Sequence, residues 1–213
     1  MRNTLRATGK VWFFVLLMVA AAVAQSRLQS GPSPAVAGPA YDVSVGYSYL
    51  TMPIASAGRV NLNGLDLSGS VALSPRWGLT LDSNYLRTSD VLSTPHQGYV
   101  LSLQSGPEFY LIERRNTRVF VRGLAGAGVV DGAVPVSERS YFHGWLLRPA
   151  YTAGAGIEHA VSGNLAVRVN GDYLRTTFYD AAGAEQPQNN IRLTVSFVFR
   201  LKERQHRSSS QLQ

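Results

Sequence analysis

The sequence predicts an all-β protein, an eight-stranded antiparallel up-and-down transmembrane β-barrel. From Tyr41 to Leu201 the chain contains eight segments in which apolar and polar residues alternate with period two. These segments are 10 to 14 residues long, and a tilted strand needs about 9–11 residues to cross a bilayer. The connections between them alternate between short and long, as in barrels that sort tight turns to one side of a membrane.

The N-terminus predicts export from the cytoplasm. Arg2, Arg6 and Lys10 precede an apolar run that ends in Ala22-Val23-Ala24. A positive start, an apolar centre and small residues before the cut define a secretory signal peptide, here residues 1–24. The apolar stretch 11–24 has 14 residues, which is short of the ~20 that a spanning helix needs. Residues 25–40, rich in Pro, Gly and Ser, are interpreted as a flexible lead-in.

The alternating segments define a barrel over residues 41–201. In chain order they are 41–50, 64–73, 77–87, 98–111, 118–129, 147–159, 164–174 and 190–201. The long connections, 51–63, 88–97, 130–146 and 175–189, all follow odd-numbered strands and are predicted to be external loops. The short connections, and both ends of the barrel, then lie on the periplasmic side. Residues 202–213 form a polar C-terminal tail.

The two faces of each segment predict different surroundings. Odd-numbered apolar residues are expected to contact lipid, and even-numbered residues to fill an interior that eight strands leave just wide enough for side chains. Buried charges must be paired, because isolated burial is costly. The even positions carry six acids and five arginines, which predicts a packed structural charge network: Asp42, Asp66, Asp82, Glu108, Arg122, Arg148, Glu158, Arg168, Asp172, Arg192 and Arg200.

Composition and motifs argue against several other functions. The net charge of +7 is concentrated at the two termini, so we predict no nucleic-acid partner. The chain has no cysteine, and no P-loop, H-E-x-x-H sequence or calcium loop occurs. No cofactor, metal or catalytic residue is therefore predicted. The glycine-rich stretch 123–128 is interpreted as structural, since glycine in a strand marks a close approach.

Three alternatives stay open. His96 and His143 lie in predicted external loops, so a lipid A-modifying enzyme is one alternative, although no carboxylate can be assigned to either histidine. A small-solute channel is the second. A soluble lipocalin-like carrier is the third, and it would turn its apolar face inward. His159 and His206 are not assigned a role.

Residues 41–201 resemble the small outer-membrane β-barrel family typified by OmpA- and OmpX-type barrels. The resemblance rests on the architecture, on SPRW at 74–77, on RVNGDYLRT at 168–176 and on NNIRLTVSFVFRL at 189–201. It implies a bacterial outer-membrane location, contact with outer-membrane lipid, and insertion by the assembly machinery with periplasmic chaperones. One departure is that Phe199 is followed by a polar tail. We expect a structural or surface-interaction role, with any recognition of an external partner in the four long loops.

Overall fold

The computed structural model describes residues 41–54, 58–89, 91, 97–114, 116–137, 140–179 and 185–201. The predicted signal peptide at 1–24, the lead-in at 25–40 and the tail at 202–213 lie outside these residues.

The described chain forms a closed antiparallel barrel of eight strands. The strands are β1 (Tyr41–Ile54), β2 (Gly58–Ala72), β3 (Trp77–Thr88), β4 (Gly98–Arg114), β5 (Thr117–Ser137), β6 (Ser140–Ala160), β7 (Leu165–Tyr179) and β8 (Glu185–Leu201). Each strand pairs with its neighbours in sequence, and β8 closes on β1 with Tyr41 opposite Leu201. The predicted fold class is confirmed. No helix among the described residues is long and apolar enough to cross a membrane.

The two ends of the barrel differ. At one end, the turn end, Tyr41 and Leu201 lie beside tight connections that join β2 to β3 and β6 to β7. In the first turn Ser74 Oγ accepts a hydrogen bond of 3.1 Å from the Trp77 amide. In the second, the Val161 amide donates to the Leu165 carbonyl at 2.9 Å. The opposite end, the hairpin end, carries the longer hairpins, including β5 and β6 of 21 residues each.

The prediction that 51–63, 130–146 and 175–189 are loops was wrong for most of these residues. Only residues 55–57, 138–139 and 180–184 separate the strands there, whereas 89–97 does connect β3 to β4. The cause is a reversal of phase in the alternation. At the hairpin end the inward residue, such as Leu62, is apolar, and the outward residues Asn61 and Asn63 are polar. The reversal marks a change of surroundings along a continuous strand.

Nearer the turn end, the predicted alternation of faces is confirmed. On β8 the outward side chains of Leu193, Val195 and Phe197 are about half exposed, whereas Arg192 and Thr194 are buried. The apolar outward positions of β8 run from Ile191 to Leu201, about 33 Å of strand at ~3.3 Å per residue. A tilt of about 35–45° reduces this to a band about 25 Å tall, the height of the apolar belt of outer-membrane barrels.

Candidate functional site: the charged lumen and the hairpin end

Four fully buried side chains meet in the middle of the lumen. Asp82, Arg122, Asp172 and Arg192 form a closed ring of alternating charge, here called the central ring. Arg122 donates to Asp172 through Nε at 3.0 Å and Nη2 at 2.7 Å, and to Asp82 through Nη1 at 3.2 Å. Arg192 also reaches both acids, with Nη1 at 3.0 Å from Asp82 and Nε at 3.0 Å from Asp172. Each guanidinium therefore links two carboxylates across the barrel.

Small and polar neighbours make room for the central ring. A Cβ atom added to Gly154 on β6 would collide with Asp172 Oδ1. Asn84 Nδ2 donates to Asp82 Oδ1 at 2.6 Å, which holds that carboxylate from the β3 side. A buried ion pair is favourable only when geometry and additional hydrogen bonds offset desolvation. The central ring meets that condition through Arg–carboxylate contacts on four strands.

Asp66 lies beside the central ring. It is 2% exposed and is register-paired with Asn84 on β3 and Gly46 on β1. Asp66 Oδ2 and Asn84 Oδ1 have no hydrogen-bond partner among the described residues. The middle of the lumen thus contains one more carboxylate than the ring uses.

A second set of charges, the turn-end cluster, lies below the central ring. Arg168 donates to Glu158 at 2.6 Å and lies 3.5 Å from Glu108, and Arg200 donates to the other oxygen of Glu158 at 2.6 Å. Arg168 also lies over the Phe120 ring, 4.8 Å from its centroid. A Cβ atom on Gly156 would collide with that ring, so a glycine is required beside Phe120.

The rim of the turn-end cluster includes an arginine that the sequence analysis did not select. Arg118 lies 3.7 Å from Asp42 and 2.8 Å from Glu113. Alternation could have identified it, because Arg118 is an even-numbered residue at the start of β5, and even-numbered residues were predicted to face the lumen.

Of the eleven predicted network residues, the structure places ten in the central ring, beside it, or in the turn-end cluster. Arg148 lies elsewhere. It is half-buried toward the hairpin end, register-paired with Gly128, and its Nη1 donates to the Leu147 carbonyl at 3.1 Å.

Above the central ring the lumen is apolar, a feature that was not predicted from the sequence. Nine buried side chains form the upper apolar cluster: Leu50, Met52, Val60, Leu62, Leu86, Val100, Ala150, Leu174 and Phe178. Val91, from the β3–β4 connection, packs against this cluster with Val130 and Leu146. The overlooked signal was a series of even-numbered apolar residues that begins at the ends of the predicted strands and continues into the predicted loops, as at Val60 and Leu62. Charges and aliphatic side chains therefore fill successive levels of one lumen.

The described histidine contacts do not form a catalytic arrangement. His159 Nδ1 lies 3.0 Å from Thr117 Oγ1 at the exposed turn end. His96, His206 and the side chain of His143 lie outside the described residues. Within the described part of the chain, no three His, Cys, Asp or Glu side chains are grouped so as to hold a metal ion.

Comparisons with known proteins identify similar folds. No protein-family model and no curated protein matches the sequence. Among solved structures, Ail, the attachment invasion locus protein of Yersinia pestis, is similar at 14% identity and TM-score 0.54, over 76% of this chain and 98% of Ail. Neisserial surface protein A (NspA) is similar at 10% identity and TM-score 0.57, over 76% of this chain and 99% of NspA. Ail has also been solved in complex with the heparin analogue sucrose octasulfate.

The likeness confirms the resemblance to small outer-membrane barrels at the level of fold. The closed eight-stranded barrel and its apolar exterior are the architecture of a transmembrane β-barrel.

Proposed function

We propose that this chain is an integral protein of a bacterial outer membrane, in which a sealed barrel holds extended hairpins outside the cell as an interaction surface. The turn end is then periplasmic and the hairpin end external. The proposed role is that of a scaffold whose external surface binds a partner, without catalysis or solute transport.

The observation that carries this proposal is the reversal of faces along the strands. On β7, Val169 faces outward in the apolar belt, whereas Arg175 faces outward at the hairpin end. The inward side reverses in the opposite sense, from Asp172 to Leu174. Outward apolar side chains are stable against lipid, and outward charges require water. The reversal therefore supports a membrane boundary that crosses each strand between the two zones.

The filled lumen argues against the alternatives. A channel needs an open path, and the central ring side chains are 0% exposed. A lipocalin-like carrier needs an apolar interior around its ligand, and the middle of this barrel is charged. For an enzyme using His96 or His143, the sequence assigns no carboxylate partner to either histidine. The scaffold role is the one that a packed interior favours.

Labelling of single cysteines tests the placement directly, because the chain has none of its own. In intact cells, a membrane-impermeant maleimide should label Asn61→Cys and leave Val195→Cys unmodified, since the first lies above the belt and the second within it. Both variants should migrate differently on a gel before and after boiling, as folded barrels do. Rapid labelling of Val195→Cys, or labelling of Asn61→Cys only after lysis, would contradict the proposal.

Recordings from planar bilayers test the sealed lumen. The refolded protein should give no discrete conductance steps, because charged and aliphatic side chains block the path at two levels. Regular single-channel steps would instead support the channel alternative. Lipid A from cells expressing His143→Ala or His96→Ala should be unchanged in mass, and an altered spectrum would favour the enzyme.

We do not propose that this chain binds a sulfated ligand like the one in the Ail complex. In the four connections first predicted as loops, three arginines stand against five acids: Arg59, Arg139, Arg175, Asp90, Asp131, Glu138, Asp180 and Glu185. A polyanion requires an excess of positive charge. The composition of these segments does not favour such a partner.

A further inference from the structure

A short sequence occurs twice at the border between the two zones. Tyr-Leu-Arg-Thr occupies 85–88 on β3 and 173–176 on β7. In both copies the leucine belongs to the upper apolar cluster, and the arginine is exposed on the outside of the barrel. Strands β3 and β7 are four positions apart in a ring of eight, so the copies lie on opposite sides of the molecule.

The surroundings of the two arginines are also alike. The register pairs are Arg87 with Asn63 and Tyr99, and Arg175 with Asn189 and Tyr151. Each arginine is thus flanked by an asparagine on one neighbouring strand and a tyrosine on the other. Neither guanidinium forms an ion pair with another residue of the described ranges.

The height of each arginine on the barrel is set by the tyrosine two residues before it. Tyr85 is register-paired with Leu65 and Leu101, within the apolar belt. Two residues of strand advance about 6.6 Å, which brings Arg87 just beyond that belt. Tyrosine is enriched where lipid hydrocarbon meets the headgroups, so the arginine lies at headgroup height.

Each arginine lies beside aromatic rings, and at one of the two sites an oriented amide is also present. At the Arg175 site, Tyr173 Oη donates to Asn189 Oδ1 at 2.6 Å, which fixes the asparagine and leaves its Nδ2 as a donor. At the Arg87 site, the Tyr85 and Tyr99 rings stack with centroids 5.9 Å apart. Guanidinium and amide donors beside aromatic rings suit an anionic group with several oxygens, and a planar guanidinium binds phosphate through two hydrogen bonds.

We propose that the Arg87 and Arg175 sites each bind the phosphate headgroup of a phosphorylated glycolipid of the outer leaflet. The lipid is the chosen ligand because the apolar belt directly below each arginine accommodates acyl chains while the arginine meets the phosphate. The inference rests on the proposed function, which places the hairpin end outside.

The two sites differ in one respect that predicts an order of affinity. Asp131 is half-buried on β5 and register-paired with Tyr99, on the far side of that tyrosine from Arg87. At the Arg175 site the corresponding tyrosine, Tyr151, is register-paired with Ala125 instead of an acid. A carboxylate near a phosphate site repels the ligand. The Arg175 site therefore binds more tightly, and Asp131→Asn strengthens the Arg87 site.

Native mass spectrometry of the refolded barrel in neutral detergent tests the proposal, with bis-phosphorylated lipid A as the probe. We expect two bound lipids on the natural chain, one on Arg87→Gln or Arg175→Gln, and none on the double variant. Affinity should fall roughly tenfold at the substituted site only, so that site should be empty at a lipid concentration that just fills both sites of the natural chain. The matched control is the double variant Arg76→Gln and Arg114→Gln, which removes two exposed arginines at the turn end and should bind like the natural chain.

Two further arms identify the ligand. Fewer than two molecules of fully dephosphorylated lipid A should bind per barrel. Inorganic phosphate at millimolar concentration should not displace the phosphorylated lipid. Unchanged binding by the double variant, equal loss in the turn-end control, or equal binding of dephosphorylated lipid would overturn the proposal. Competition by inorganic phosphate would indicate a free-phosphate site and overturn the assignment to lipid. Because micelles supply no membrane orientation, failure here is distinguishable from failure of the labelling experiment in cells.

Discussion

The middle of the barrel and its hairpin end solve the same packing problem in opposite ways. On β7, Asp172 and Leu174 are successive inward residues, yet the first binds two guanidinium groups and the second lies among aliphatic side chains. The outward side changes over the same distance, from Tyr173 to Arg175. In the proposed placement, lipid surrounds the apolar outward side chains of the belt, and the polar side chains fill the lumen. At the hairpin end, where the proposed surroundings are water, polar side chains face outward and apolar side chains form a core inside the barrel.

The two zones are also stabilised by different interactions. The stability of the central ring depends on complete pairing, because loss of one partner leaves a buried charge unpaired. The upper apolar cluster depends on filled volume, and its losses scale with the size of the cavity left behind. Substitutions that remove one feature at a time separate these two mechanisms.

The largest effect is expected at the central ring. Asp172→Ala leaves Arg122 and Arg192 with Asp82 as their remaining ring partner, and should lower the free energy of unfolding by about 3–5 kcal/mol. Urea titration of the barrel in lipid vesicles, followed by tryptophan fluorescence, measures this. Asp131→Asn, at the hairpin end, serves as the control and should change the value by less than about 0.5 kcal/mol. A loss below about 1 kcal/mol for Asp172→Ala would mean that the ring is not a cooperative unit.

The upper apolar cluster should respond to loss of volume. Leu62→Ala opens a cavity inside the barrel and should cost about 2–5 kcal/mol in the same titration. Leu65→Ala on the same strand removes an outward side chain that is 60% exposed. Lipid fills the space that this control vacates, so its cost should be clearly smaller. Equal losses from the two variants would count against a packed core at the hairpin end.

A charge placed outside tests where the membrane boundary lies. Val195→Arg puts a cation near the centre of the apolar belt and should cost about 2–4 kcal/mol. Asn61→Arg puts the same side chain outside the hairpin end, where water solvates it, and should be nearly neutral. If both variants unfolded at the same urea concentration as the natural chain, the two zones would share one solvent and the proposed placement would fail.

A single methyl group tests the space beside the central ring. Gly154→Ala brings Cβ into contact with Asp172 Oδ1 and should cost about 1–3 kcal/mol through displacement of the carboxylate. Gly171→Ala on β7 faces outward, where an added Cβ meets nothing within 4 Å. This control should be neutral or slightly stabilising, since alanine restricts the unfolded chain. An unaffected Gly154→Ala would show that the carboxylate has room to move.

Much of the fold was predictable because period two is a local property. The third strand, predicted at 77–87, is observed at Trp77–Thr88, and the seventh, predicted to begin at residue 164, begins at Leu165 but continues five residues past its predicted end, to Tyr179. The hairpin end was predicted less well. Val60 and Leu62 continue the alternation with the phase reversed, and a reading that expects apolar residues outside treats that reversal as the end of a strand.

The candidate site divides in the same manner. The even numbers of Asp82, Arg122 and Arg192 predict that all three side chains face the lumen, but they do not predict that these side chains contact one another. Asp82 and Arg192 are 110 residues apart in sequence, and their contact depends on the stagger of a closed barrel. Arg148 has the same parity and lies half-buried toward the hairpin end. Alternation therefore predicts the face on which a side chain lies, but not its level along the barrel axis.

Alternation alone specified eight strands and the face of the sheet on which their side chains lie, because the pleat of a strand forces successive residues to opposite sides. Closure of the barrel specified the rest. It selected which arginine meets which carboxylate, and it set the level at which the lumen changes from charged to apolar. The pairing and the level of this change depend on contacts between strands that are distant in sequence and on the surroundings of the barrel at each level. Neither can be read from a local stretch of sequence.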